Sequence, residues 1–243
     1  LSNPSDGIDL GETVEVSAII SDNDQLLEAI VVDTLIDEDD GDLTPGDVSL
    51  RDAINAIAPN GTITFADSIA NGTITLEPTL GQLTVDQPVT IDGDTLAITI
   101  DGLESSRVFK VDDGEEESAI AVTITGLTIS GGSVIENGGG ILNREELTLS
   151  NSTVRNSFAS NGGGIFNEGE LTLSNSTLTG NFATNGGGMA NYNDLTVTDT
   201  TFTGNRGSVG GGIYNAGTAS FTDTTLSGNT SNFDGGGIFN NSD

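Results

Sequence analysis

The chain has 243 residues, 34 of them glycine, and contains neither cysteine nor histidine. Six basic residues stand against 37 acidic ones, and the net charge of -31 excludes a duplex nucleic acid or an anionic membrane as a partner, since both would be repelled. Disulfides, thiolate chemistry and catalytic triads with a histidine base are excluded as well.

The first segment, residues 1–30, gives no clear element. Some alternation at 13–20 (TVEVSAII) indicates a tail or an added strand. The start lacks the basic and apolar parts of a signal peptide. The chain contains no run of 18 apolar residues, so no membrane insertion is predicted. Because the last repeat unit stops partway, we expect this chain to belong to a larger protein with further domains.

Residues 31–58 are predicted to form an N-terminal cap of strand, acidic loop and helix. The strand is predicted at 31–37 (VVDTLID) and the helix at 48–58 (VSLRDAINAIA). One face of this helix carries Leu50, Ala53, Ile54 and Ile57. A helix in this position would cover the open strand edge of the first coil of a repeat array.

The loop inside this cap is rich in carboxylates and predicts calcium as a cofactor. The residues that we predict as metal ligands are Asp37, Asp39, Asp40, Asp42 and Asp47. Carboxylate oxygens around a glycine turn suit Ca²⁺. The loop does not fit the EF-hand register, because Ile36 stands five residues before Gly41. A solvated acidic loop is the alternative interpretation.

Residues 59–137 contain short β-branched runs separated by glycine and aspartate, which predict strands. The predicted strands are 61–65, 72–78, 81–85, 88–93, 96–102, 107–111 and 121–130. A second acidic stretch, DDGEEE at 112–117, is predicted as a loop that protrudes from one coil and is a weaker calcium candidate.

A regular repeat begins at about residue 138. Its glycine triplets start at Gly138, Gly162, Gly186, Gly210 and Gly235, at intervals of 24, 24, 24 and 25 residues. Each triplet is followed by an apolar residue and, two positions later, by an asparagine. These asparagines are Asn143, Asn167, Asn191, Asn215 and Asn240. A fixed period of this length is typical of a repeat architecture.

The pattern within each unit predicts an all-β parallel solenoid over residues 59–243, with coils of 24 residues. LTLSNST alternates with period 2, which indicates strands, and we expect three short strands per coil. Stacked coils about 4.8 Å apart would align the asparagines into a hydrogen-bonded ladder. The column predicted to face outward is Leu142, Phe166, Ala190, Tyr214 and Phe239.

The cap and the repeats resemble known bacterial surface proteins. The run from Val31 to Ile57 with SLRDAI resembles the CSLREA-type N-terminal cap, with Val48 in place of the frequent cysteine. GGGIFN, together with Phe158–Asn161, Phe182–Asn185 and Phe202–Asn205, resembles the repeats of polymorphic outer-membrane proteins. The resemblance implies a right-handed, pectin-lyase-like parallel β-helix in a secreted or cell-surface protein, often adhesive.

The same fold family includes polysaccharide lyases and glycoside hydrolases, so an enzyme is the alternative. Asp199 and Asp223 occupy one repeat position and would stack like a pair of catalytic carboxylates. Asn151 and Asn175 fill the same position in earlier coils, which favours a turn residue instead. The positions of the lysine and arginine residues do not predict a basic cleft that could bind an acidic polysaccharide. The threonine column Thr153, Thr177, Thr201 and Thr225 leaves ice binding as a third class.

We therefore expect a non-enzymatic, extracellular adhesin or stalk segment. Its partners would be glycans, matrix or proteins on other cells, contacted weakly and repeatedly along a stiff rod. We predict no catalytic residues.

Overall fold

The computed structural model describes residues 27–115 and 118–241, and within these ranges the chain forms 26 strands, one α-helix and one 3-10 turn. The tail or strand predicted for residues 1–30 lies outside the described residues as far as residue 26. Glu116 and Glu117 of the second acidic stretch lie outside them too.

The cap and the first coils contain α1 (Leu50–Ala56), the 3-10 turn (Asp67–Ile69) and nine strands. These strands are β1 (Leu27–Val32), β2 (Ile57–Phe65), β3 (Thr73–Thr75), β4 (Leu83–Val85), β5 (Val89–Asp92), β6 (Ile98–Asp101), β7 (Phe109–Val111), β8 (Ala121–Thr125) and β9 (Leu127–Ser130). Each run predicted as a strand between residues 59 and 130 contains a strand, but the run 121–130 is divided at Gly126 into β8 and β9, which belong to different sheets.

The regular coils contain the other seventeen strands. They are β10 (Ile141–Asn143), β11 (Glu146–Ser150), β12 (Thr153–Arg155), β13 (Phe158–Asn161), β14 (Ile165–Asn167), β15 (Glu170–Ser174), β16 (Thr177–Thr179), β17 (Phe182–Asn185), β18 (Met189–Asn191), β19 (Asp194–Thr198), β20 (Thr201–Thr203), β21 (Arg206–Gly207), β22 (Ile213–Asn215), β23 (Thr218–Thr222), β24 (Thr225–Ser227), β25 (Thr230–Ser231) and β26 (Ile238–Asn240).

The strands pair in parallel into four sheets, which makes the chain an all-β parallel solenoid of about seven coils. Sheet A has the order β1-β2-β5-β8-β11-β15-β19-β23, and sheet B the order β3-β6-β9-β12-β16-β20-β24. Sheet C runs β4-β7-β10-β14-β18-β22-β26, and the short sheet D runs β13-β17-β21-β25. The predicted fold class is confirmed.

Each regular coil has four strands rather than the three that we predicted from the sequence. The additional strand, in sheet D, is the segment just before the glycine triplet. Its inward residue is the small Ala159 or Ala183, while Phe158 and Phe182 point outward. Because no large apolar residue occupies the inward position, the sequence pattern of this segment did not predict a strand.

The apolar core consists of columns of identical or similar residues in register along the solenoid. Leu147 pairs with Leu171, and Leu171 with Leu195, with at most 2% of each side chain exposed. The parallel column one step further, which contains Leu149 and Leu173, is fully buried. Each coil therefore buries its apolar residues against its neighbours rather than within itself.

The helix caps the solenoid as predicted but is shorter than 48–58. Ser49 is its N-cap, accepting a hydrogen bond from the Asp52 amide at 3.0 Å. The helix ends at Ala56 because Ala58 precedes a proline, which disfavours helical backbone there. α1 packs against β1, β2 and β4, and its predicted apolar face is buried. The predicted strand 31–37 instead ends at Val32.

The predicted asparagine ladder is present, and its members from Asn143 to Asn215 are buried. Asn167 donates from Nδ2 to Asn191 Oδ1 at 2.8 Å, and Asn143 donates to Asn167 at the same distance. The ladder continues through Asn215 to Asn240. From Asn143 to Asn215, each buried amide also donates to at least one backbone carbonyl, so its polar atoms are satisfied inside the core.

The glycine triplets allow the backbones of neighbouring coils to approach closely. A Cβ atom on Gly163 would lie 2.4 Å from the Phe182 carbonyl oxygen and 2.6 Å from that of Gly187. The preceding Gly162 has a φ of 60°, in the left-handed region that favours glycine. The triplet therefore combines a turn with close packing.

Candidate functional site

The outward face of sheet C carries the most varied side chains of the solenoid. In β10, β14, β18 and β22 the residue between the buried apolar residue and the asparagine points outward, and in β7 Lys110 takes this position between Phe109 and Val111. The column in register is Lys110, Leu142, Phe166, Ala190, Tyr214 and Phe239. The predicted outward column is thus confirmed in register. Leu142, Phe166 and Ala190 are nevertheless buried in a small second apolar cluster.

A continuous row of four aromatic rings, which we call the aromatic stripe, covers this cluster. It consists of Phe166, Tyr192, Tyr214 and Phe239. Successive ring centroids are 5.2, 5.8 and 5.5 Å apart, so the rings contact one another across successive coils. The stripe therefore runs along the solenoid axis.

Tyr192 was missed by sequence reasoning. It follows the ladder residue Asn191, outside the predicted outward column, and its ring lies between those of Phe166 and Tyr214. The small Ala190 occupies the outward position of that coil. The signal available in the sequence was this pairing of an alanine with a tyrosine two residues later. Burial, followed by the neighbouring Tyr214, raises the pKa of Tyr192, whose side chain is still 42% exposed.

Beside the stripe, towards the cap, lies a group of ion pairs that we call the ion-pair cluster. Lys110 Nζ lies 2.9 Å from Asp112 Oδ2, and Arg144 Nη1 lies 3.0 Å from the same oxygen. Arg144 Nε also donates to Glu168 Oε2 at 3.0 Å, across the coil boundary. Asp112 is two residues from Lys110 in the same coil, whereas Arg144 reaches Asp112 and Glu168 only because neighbouring coils stack.

The ionisation state of Asp112 follows from these contacts. Burial raises its pKa, but hydrogen bonds from Lys110, the Gly114 amide and Arg144 outweigh burial, and the net shift is downward from 3.8. Asp112 is therefore a carboxylate at neutral pH and cannot act as a proton donor there.

An open groove of about 730 Å³ follows the ion-pair cluster. Its lining includes Lys110, Asp112, Arg144 and Glu168, together with Glu115 and Glu145. The groove is polar and adjoins the aromatic stripe through Glu168 and Tyr192. Polar groups beside an aromatic platform on a rigid surface are characteristic of ligand sites.

In the described part of the chain, one group of three carboxylates has oxygens within 4.8 Å of one another, and two of its members line this groove. It consists of Asp112, Asp113 and Glu145. Glu145 is buried and accepts hydrogen bonds from the backbone amides of Asp113 and Ile120. These contacts hold the ends of the predicted acidic loop at 112–117 in place.

The carboxylates predicted as calcium ligands have varied surroundings. Asp37 is buried and forms a bidentate pair with Arg51, with contacts of 2.9 and 2.8 Å. Asp39 accepts from Asn55, and Asp40 accepts from the backbone amide of Asp42. Asp42 accepts in turn from the Thr44 amide, and this contact lowers its pKa. The structure therefore places Asp37 in the cap core rather than in the exposed part of the loop.

The remaining part of that loop surrounds Glu38. Its Oε1 atom is shielded from solvent and accepts no hydrogen bond. Loss of hydration, followed by the neighbouring Asp47, Asp40 and Asp52, raises the pKa of Glu38. Two of the predicted ligands, Asp40 and Asp47, are therefore close enough to Glu38 for their negative charges to repel its carboxylate.

The stacked carboxylates Asp199 and Asp223 are turn residues. Their φ angles are 48° and 46°, and Asn151 and Asn175 adopt nearly the same values of 49° and 47° in the same turn. Asparagine and aspartate both tolerate this left-handed conformation. The interpretation as turn residues is therefore confirmed by the backbone.

Comparisons of the chain with family models, curated proteins and solved structures find no match. The parallel β-solenoid is shown by the structure, whereas the particular cap and repeat families remain resemblances of the sequence. Among the described residues no helix has the length and apolar character needed to cross a membrane.

Proposed function

We propose that this chain is a non-enzymatic, glycan-binding segment of an extracellular or cell-surface β-helix protein, acting as an adhesin or stalk. The observation that carries the proposal is the aromatic stripe beside the polar groove on sheet C. Sugar rings are amphipathic, and they pack their apolar faces on aromatic side chains while hydrogen-bonding polar neighbours.

The shape of the site favours a linear polysaccharide that lies along the solenoid axis. The accessible part of the stripe crosses successive coils from Tyr192 to Phe239, and the groove continues it towards the cap. A stacked β-sheet holds these groups in place before binding, which lowers the entropic cost of association. Repetition along the rod would add avidity to weak single contacts.

The charges favour a neutral glycan over an acidic one. Lys110 and Arg144 are already paired with Asp112 and Glu168, so neither cation is left for a sugar carboxylate. The net charge of -31 would also repel a polyanion at long range.

Asp112, in the groove, cannot supply the proton that a glycoside hydrolase needs, and this favours binding over catalysis. Glycoside hydrolases need one carboxyl group with a raised pKa, whereas that of Asp112 is lowered. Incubation with a polysaccharide panel should release no new chain ends. Release that disappears in Glu168→Gln would favour the enzymatic alternative.

The test of binding uses a panel of neutral and acidic polysaccharides in affinity electrophoresis. Tyr192→Ala should weaken retention by a neutral polysaccharide about two- to tenfold, the range expected for one aromatic contact. Phe158→Ala is the matched control, since its side chain is 41% exposed against 42% for Tyr192 and it lies on sheet D. Absence of retention by every polysaccharide, or equal effects of both variants, would contradict the proposal.

Ice binding is a second candidate, favoured by two threonine columns. The column predicted from the sequence, Thr153, Thr177, Thr201 and Thr225, is in register on sheet B, and a second column lies on the outward face of sheet A. Thr123, Thr148, Thr172 and Thr196 are in register there, with Ser150 and Ser174 in the column two residues along. Neighbouring strands place these hydroxyls about 4.8 Å apart, a regular array that could order water. Thermal hysteresis that is lost in Thr172→Lys would support this candidate, and its absence in the unaltered protein would remove it.

A further inference from the structure

Sheet D presents a second set of exposed apolar side chains, on a different part of the solenoid. Phe158, Phe182 and Arg206 are in register on successive strands of this sheet. Phe158 and Phe182 are 41% and 39% exposed, although large apolar side chains are normally buried. Neither residue takes part in the site on sheet C.

The two rings form an ordered stack that ends in a cation. Their centroids are 5.5 Å apart and their planes differ by 11°. On the other side of Phe182 the Arg206 guanidinium lies 5.7 Å from the ring centroid, within the range of a cation–π interaction. Phe182 therefore has the ring of Phe158 on one side and the guanidinium of Arg206 on the other.

The opposite end of the stack opens into a groove of about 640 Å³. The residue paired with Phe158 on the preceding coil is Ser133, whose small side chain leaves the groove open at the Phe158 ring. Glu104 and Asn156 also line the groove and offer a carboxylate and an amide. Both are exposed, so a ligand can reach them.

Two exposed apolar residues are close in sequence to residues that line the groove, Leu103 beside Glu104 and Ile135 two positions after Ser133. Leu103, next to Glu104, is 54% exposed, and Ile135 is 80% exposed. Ile135 lies beside β13, where its carbonyl accepts from the Ser160 hydroxyl. An occupant therefore needs a cation for Glu104 and the ring, and apolar groups for Leu103 and Ile135. A polypeptide can supply both, whereas a sugar polymer lacks the apolar side chains.

We propose that this surface, defined by Leu103, Glu104, Ile135, Phe158 and Phe182, docks an arginine-bearing segment of a partner protein. The partner's guanidinium stacks on the open side of Phe158, as Arg206 does on Phe182, and pairs with Glu104. The partner's neighbouring apolar side chains cover Leu103 and Ile135. The net charge of -31 draws basic segments towards the chain over long distances.

Fluorescence anisotropy with two short labelled peptides tests the proposal at physiological ionic strength. In one peptide arginine alternates with leucine, and in the other lysine replaces arginine. Because the planar guanidinium stacks on aromatic rings better than an ammonium group does, the arginine peptide should bind more tightly. Phe158→Ala should weaken the arginine peptide about two- to fivefold and abolish its advantage over the lysine peptide.

Several variants separate stacking from general attraction by charge. Phe158→Leu keeps an apolar side chain without a ring and should behave like Phe158→Ala, while Tyr192→Ala should change neither peptide. Glu104→Gln should weaken both peptides more than Glu170→Gln, which removes a charge on sheet A. Equal binding of the two peptides, no binding by either, or full retention by Phe158→Leu would each overturn the proposal.

Discussion

At the scale of single residues, asparagine has two distinct roles in this solenoid. In the buried ladder each amide donates to the next asparagine and to backbone carbonyls, which an aspartate could not do. In the left-handed turns of the regular coils the requirement is only conformational, and Asn151 and Asp199 are interchangeable there. The residues aligned by the repeat show this difference, because the ladder position is always asparagine and the turn position is not.

Removal of one ladder amide should cost considerable stability. Asn167→Ala leaves the Asn143 amide and the carbonyls of Gly169 and Asp194 with fewer partners in a buried site. Unsatisfied buried polar groups cost about 1–3 kcal/mol each, so we expect a loss of about 3 kcal/mol in the free energy of unfolding. Urea denaturation followed by circular dichroism measures this loss.

The matched control for that variant is Asn193→Ala, two residues from the ladder residue Asn191. Its amide donates to the Glu168 carbonyl at the surface. Since water replaces a lost surface hydrogen bond, this variant should lose less than about 1 kcal/mol. Similar losses in the two variants would refute the importance of the buried ladder.

Glu38 should make the cap sensitive to pH. Its folded pKa is raised above the usual 4.5, mainly by loss of hydration and then by Asp47 and Asp40. Its contribution to stability is therefore complete below about pH 4.5 and is lost as the pH rises through the folded pKa. Glu38→Gln stays neutral and should melt above the unaltered protein at pH 7. Thermal melts of both proteins as a function of pH measure this difference, which should vanish in acid.

At the scale of elements, local patterns predicted the strands of residues 59–130 and the presence of the helix, but they placed the cap strand at 31–37 and extended the helix to residue 58. The helical face of α1 follows from apolar periodicity, and its last residue follows from the proline at position 59. The strands of sheet D were missed because their inward residue is alanine. Asp37 was predicted as a metal ligand, but its partner Arg51 is fourteen residues away and identifiable only from packing.

Calcium binding by the acidic loop of the cap stays a prediction. A cation bound near Asp40 and Asp47 would relieve their repulsion with Glu38, and an ion at a hundred times its Kd would stabilise the fold by about 2.7 kcal/mol. Melting temperature in calcium chloride, with sodium chloride at matched ionic strength as control, measures the effect. The double variant Asp40→Asn with Asp47→Asn should lose the calcium response. An unchanged response would place the effect elsewhere.

At the scale of the whole molecule, charge repulsion opposes the stacking of coils. With a net charge of -31 the folded rod concentrates like charges that the unfolded chain spreads apart. Salt shortens the screening length from about 30 Å at 0.01 M to about 3 Å at 1 M. We therefore expect the melting temperature to rise steadily with sodium chloride. A melting temperature independent of salt would show that self-repulsion is unimportant for this fold.

The spacing and pattern of residues were enough to predict the solenoid, its period, the asparagine ladder and the capping helix. Each of these depends on a pattern repeated at a fixed spacing, and neighbouring copies of the pattern are also neighbours in space. The surfaces proposed for binding were decided only by the tertiary structure. Lys110, Arg144 and Glu168 lie on three different coils, and so do Ser133, Phe158 and Phe182. Their contacts depend on side chains that do not recur, brought together by stacking and absent from any single repeat.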